Sequence, residues 1–142
     1  MCSSDLSTRI SRPLLDRIDL HVELPPLPSG DLRSESSEEP SAAARARVMA
    51  ARARQAARLR AVSVRRNAEM THRQVRRFCA LSPDGERILL AAMSRLTLSA
   101  RGHDRILKVA RTIADLAGSD QVTADHVAEA IQYRGFDRPR RA

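Results

Sequence analysis

Residues 98–118 constrain this chain more than any other stretch, because they read as one amphipathic helix with both ends marked. Ser99 is a good N-cap, and Gly118 stands where a left-handed residue would stop the helix. Between them Ile106, Ala110, Ile113 and Ala117 recur at helical spacing, with Leu107 and Ala114 widening the stripe. Arg101 is out of keeping with this pattern. It falls in the first turn, where the helix dipole disfavours a cation by about 0.3–1 kcal/mol. A cation beside free backbone N–H groups suits a phosphate, on which both kinds of donor can converge. The alternative reading is a solvated surface arginine.

The chain has 142 residues, enough for one ordinary domain or a small domain plus a tail. Hydrophobic residues make up 42% but aromatics only 2%, so a core must be built from Leu, Ile, Val and Ala. That favours helices over a β-sandwich. A net charge of +8 and a pI of about 11.2 point to a polyanionic partner, nucleic acid or nucleotide phosphate. Lys108 is the sole lysine, however, and a bias to Arg and Ala also arises from GC-rich coding. Cys2 and Cys79 make neither a disulfide framework nor a metal site. His21, His72, His103 and His126 share no ligand spacing and read as surface or structural, so no metal is expected. With no apolar run near 18 residues and no signal-peptide core after Met1, no membrane partner is expected, and the cytoplasm is the default location.

In chain order, residues 1–8 read as a disordered start. In residues 9–24, Ile18, Leu20, Val22 and Leu24 alternate with Asp19, His21 and Glu23, the period of a half-buried strand, with a short helical turn at Pro13 before it. A lone strand leaves its edges unpaired, so it requires either dimerisation or a sheet from elsewhere. Residues 25–40 are a Pro-, Ser- and acid-rich linker, 41–134 a helical domain and 135–142 a basic tail. Ser41 is expected to cap a helix running to about residue 60, on which Val48, Ala51 and Leu59 make a weak apolar stripe. Arginines surround that stripe, and Arg45, Arg52 and Arg58 are candidate nucleic-acid contacts. The alternative is a solvated helix, since no aromatic residue interleaves to stack on bases. Thr71-His72-Arg73-Gln74 has the capping-box pattern, Ser82-Pro83 starts another helix, and Thr123 caps the last. Five helical segments thus follow residue 41, and the fold class is mainly α.

No G-x-x-x-x-G-K-S/T, G-x-G-x-x-G, H-E-x-x-H or G-x-S-x-G occurs, so no complete active site is legible. Two arginines sit in settings that suit phosphate, Arg17 before the strand and Arg101 at a helix N-terminus. The run Ile10-Ser11-Arg12-Pro13-Leu14-Leu15-Asp16-Arg17-Ile18-Asp19-Leu20-His21-Val22 resembles the I-S-G-P-L-L-D-R-I-D-L-H-V segment of Mg-chelatase-like AAA+ ATPases of the ComM/YifB group. Leu98-Ser99-Ala100-Arg101, then Arg105 through Leu116 and Ala128 through Arg134, resemble that family's C-terminal domain, and Asn67-Ala68-Glu69-Met70 also fits.

The resemblance implies an AAA+ helical lid preceded by the last strand of an α/β ATPase core. It implies that Arg17 is an arginine finger acting in trans and Arg101 the sensor-2 residue that contacts ATP. It further implies ATP and Mg²⁺ as ligands of the full-length parent, a hexameric ring as the assembly, and DNA as a candidate partner. The chain departs from the pattern where Arg12 replaces a usual glycine and Gly102-His103 replace alanine-tyrosine. Met1 to Leu6 match nothing in the family, so a truncated parent with a non-native start is expected. Such a piece binds no cofactor alone and is expected to be inactive alone, lacking the phosphate loop and the Mg²⁺-holding acid. The rival reading is a stand-alone basic helical module that binds nucleic acid through the residue 41–60 helix and the arginines at 138–141. Backbone binding of that kind weakens with salt, with a log–log slope of about −0.9 per phosphate contact on duplex DNA.

Overall fold

A computed structural model describes residues 12–15, 17–22, 24, 39–96 and 98–134. The start at 1–8, the basic tail at 135–142 and all but the end of the 25–40 linker lie outside them. The helices are α1 (Arg12–Leu15), α2 (Ser41–Leu59), α3 (His72–Phe78), α4 (Pro83–Leu96), α5 (Ala100–Leu116) and α6 (Ala124–Gln132), with a 3₁₀ turn at Asn67–Glu69. The molecule is mainly helical, and α2 to α6 correspond to the five segments read from the sequence.

Local chemistry sets most boundaries. Ser99 Oγ accepts the Gly102 N–H at 3.2 Å, which satisfies one free donor at the start of α5. Thr71 and Gln74 form the expected reciprocal box, the Thr71 N–H donating to Gln74 Oε1 at 2.8 Å. At the other end of α5, Gly118 takes φ +73°. The Ser119 N–H then reaches Ala114 O at 2.8 Å and the Gly118 N–H reaches Asp115 O at 3.2 Å, the bond pair of a Schellman stop. Two boundaries differ from the expectation. Pro40, not Ser41, is the N-cap of α2, because its carbonyl already accepts the Ala43 and Ala44 N–H groups while Ser41 lies inside the helix. Residues 17–22 and 24 form no strand. A ladder needs a partner, and among the described residues the single bridge joins Leu81 to Val122.

Helix α5 is the centre of the bundle, in contact with α2, the 3₁₀ turn, α3 and α6. Its Ile106, Leu107, Ala110 and Ala114 are buried against a core that includes Leu59, Val75, Leu89, Val127 and Ala130. Alanine at 110 and 114 leaves nothing beyond Cβ to hold neighbouring helices apart, which fits a core with almost no aromatic rings. Ile113 packs at the edge of this core and Ala117 is exposed, so the stripe ends sooner than its spacing implied.

Gly102 is buried, and a methyl added there would meet Leu98 at 3.4 Å, an ordinary contact. Gly102→Ala is therefore expected to stabilise the bundle by up to about 1 kcal/mol, read as a raised urea midpoint with unchanged slope. Cys79 is a second reporter of the core. Burial pushes its thiol up to about 12 from 9.0. Iodoacetamide at pH 8 should leave Cys79 unmodified in the native chain and label it in denaturant, as peptide mass spectrometry would show. Because the folded value is raised, this stabilisation is complete below about pH 9 and declines as pH rises toward 12.

Candidate functional site

On α5, Arg101, Arg105 and Lys108 stand at i, i+4 and i+7 and so share one face. Together with Arg17, Asp19, Ala68, Met70, His72 and Asp104 they line an open cavity of about 390 Å³. The two arginines singled out in the sequence thus meet in one place, although far apart in the chain. Their neighbours are already engaged. Arg105 pairs with Asp19, the Lys108 ammonium donates to Ala68 O at 3.0 Å, and His72 Nδ1 lies 2.8 Å from Asp104 Oδ2. Arg17 and Arg101 are exposed, and neither forms an ion pair with another described residue. The cavity therefore offers two unspent guanidinium forks to an incoming anion. The sequence alone gives Arg105 and Lys108 no site role, although their spacing from Arg101 places them on its face.

Two planar, permanently charged donor forks at one cavity suit an oxyanion such as phosphate. The cavity does not supply ligands for a metal: among the described residues, no group of three His, Cys, Asp or Glu side chains is arranged to hold one.

The candidate nucleic-acid residues on α2 separate. Arg45 and Arg52 are exposed, and Arg52 lines a second basic cavity of about 480 Å³ with Ser63, Arg65, Arg66 and Glu69. There the Arg65 backbone N–H and the Arg66 side chain hold the Glu69 carboxyl below the usual carboxylate range. Arg58 instead turns inward. Its fork grips Asp115 at 2.7 and 2.6 Å and reaches Asn67 Oδ1 at 3.1 Å. Arg111 reaches the same carboxylate at 3.0 Å and donates to the backbone carbonyls of Asp120 and Ser119. Asn67 closes the network through Asp115 Oδ2 at 2.9 Å and Thr112 Oγ1 at 3.0 Å. Asp115 has a wholly buried side chain, so Arg58 serves the fold.

This contrast is measurable. Asp115→Ala would leave two guanidiniums facing a dry site without their carboxylate, and is expected to cost about 3–5 kcal/mol in urea unfolding. Arg101→Ala should change stability by no more than about 0.5 kcal/mol, as expected at an exposed site.

Among the described residues, no helix is long and apolar enough to cross a membrane. Residues 38–134 match the family described as magnesium chelatase, subunit ChlI C-terminal. The chain is 42% identical over 131 residues to the uncharacterized protein YifB of Salmonella typhimurium. It is 40% identical over 131 residues to the competence protein ComM of Haemophilus influenzae. Each alignment covers 92% of this chain and 25% of the relative. An uncharacterized protein of Mycobacterium tuberculosis is 40% identical over 126 residues, again across 25% of its length. The chain thus spans about a quarter of the length of the curated relatives it matches. Taken with the helical bundle, these matches show that the chain belongs to the magnesium chelatase family and corresponds to the C-terminal domain of its ComM- and YifB-like members.

Proposed function

We propose that this chain is the arginine-presenting end of a ring-forming Mg-chelatase-family AAA+ ATPase. In this reading Arg17 is the finger and Arg101 the sensor-2 residue, and both address the terminal phosphate of Mg²⁺-ATP held by a neighbouring subunit. One observation carries it: in a cavity whose other cations are already engaged, Arg17 and Arg101 remain exposed without an ion pair to a described residue. Phosphoryl transfer spreads negative charge over three oxygens, and a planar, permanently charged fork stabilises that charge without surrendering a proton. The sequence contains no phosphate loop, so the nucleotide has to be presented by other residues than these. Likeness to a protein named for competence supports DNA as the substrate on which the parent ring acts. The basic cavity of Arg52, Arg65 and Arg66 favours a second reading, a nucleic-acid-binding module, in which Arg58 takes no part.

The test is a subunit-mixing experiment in the full-length ATPase. Arg17→Ala should lower ATP turnover by about 10³-fold or more without changing the ring's size. Mixing these subunits with subunits disabled in the phosphate loop should recover part of the activity, because wherever a finger-disabled subunit's loop meets a loop-disabled subunit's finger that site is intact, while the opposite orientation carries both lesions. Unchanged turnover in Arg17→Ala overturns the reading, and turnover lost without recovery on mixing overturns action in trans.

A further inference from the structure

The segment that carries Arg17 is tied to the bundle by contacts that the phosphate reading does not use. The Arg134 side chain is buried and donates from Nη1 to Ile18 O at 2.6 Å. Arg105 pairs with Asp19. The His21 N–H donates to Tyr133 O at 2.7 Å. These three ties fall on residues 18, 19 and 21, directly after Arg17. Apolar burial contributes little: Leu20, Val22 and Leu24 are all exposed, and of residues 17–22 and 24 His21 alone is buried. Its position therefore rests on polar ties to α5 and to the end of α6. A charged donor engaged in a water-poor setting is costly to release, so a tie of Arg134's kind is stiff. Arg105 also lies one turn beyond Arg101, which makes α5 the common reference for both arginines.

We propose that Asp19, Arg105 and Arg134 are positioning residues, a latch that keeps the Arg17 guanidinium in the cavity of Arg101 so that both meet one phosphate group. This rests on the reading of the two arginines given above. Fixing two charged forks before the anion arrives removes the ordering cost that would otherwise weaken binding.

Asp19→Asn separates this latch from simple electrostatics. Removing an acid from a basic cavity should tighten anion binding on charge alone, whereas loss of the latch should weaken it. The probe is inorganic tripolyphosphate, titrated calorimetrically into the 142-residue chain, with amide hydrogen exchange read at His21. Asp19→Asn is expected to weaken tripolyphosphate binding by about tenfold, the scale of one charge-assisted contact. It should also expose the His21 amide to exchange while the bundle's unfolding midpoint stays in place. The exchanged pair Asp19→Arg with Arg105→Asp, which keeps the cavity's net charge, should restore both readouts. Arg134→Gln should act like Asp19→Asn. If its buried site prevents folding, Asp19→Asn decides alone, because Asp19 is half exposed.

The latch is overturned if Asp19→Asn leaves binding unchanged or tighter while Arg17→Ala and Arg101→Ala weaken it. If those two alanine variants leave the affinity unaltered, the phosphate reading falls, and the latch with it.

Discussion

The buried carboxylate of Asp115 is the contact on which the rest of this molecule depends. It lies between the guanidiniums of Arg58 and Arg111 and accepts a further bond from Asn67. Four pieces of chain therefore converge on it: α2, the 3₁₀ turn, α5 and, through Arg111, the loop after α5. A buried ion pair adds little to stability compared with a well-packed apolar substitute of equal volume. What it adds is a penalty on every arrangement that parts its members. A sliding or rolling α5 would have to strand charge in a dry site, whereas its aliphatic stripe alone would tolerate many rolls.

Much of this architecture is legible in the sequence because it rests on local rules. Ser99, Thr71 and Gly118 mark helix ends through bonds that span only a few residues, and each does so here. Scarce aromatics and an Ala-rich stripe imply a close-packed helical bundle, and one forms. The network around Asp115 was not legible, for a physical reason. Pattern reading assigns every charge to solvent, while Arg58 and Asp115 are partners 57 positions apart. The alternation over residues 18–24 states which side chains share a face. It cannot state whether another strand lies alongside. Arg17 and Arg101 could each be named from local chemistry, yet their shared cavity exists only once the chain has folded.

The placement of Arg101 carries a local cost that the fold does not remove. The first turn of α5 holds no acidic residue, so its dipole acts against that cation. Ser99 offsets part of this by satisfying one backbone donor, and Gly102 adds a further weakness in helix propensity. Local preference and global fold disagree at this helix end and agree almost everywhere else along α5. Disagreement of that kind is expected where a residue is kept for a task other than stability.

One polar seam joins the buried network around Asp115 to the open cavity. Arg101, Arg105, Lys108, Thr112 and Asp115 follow one another at spacings of four, three, four and three, so they line a single side of α5, roughly opposite Ile106, Ala110 and Ala114. The C-terminal half of the seam is covered, with Thr112 and Asp115 bonded to Asn67 and Asp115 gripped by Arg58. The N-terminal half is left open as the cavity. A helix is stiff and rises about 1.5 Å per residue, so a roll fixed at Asp115 is felt at Arg101, about 21 Å away. The buried half of the seam thus determines how the open half is aimed. Under the proposed reading, the direction in which α5 presents Arg101 to a phosphate is set in part by a carboxylate at the other end of the same helix.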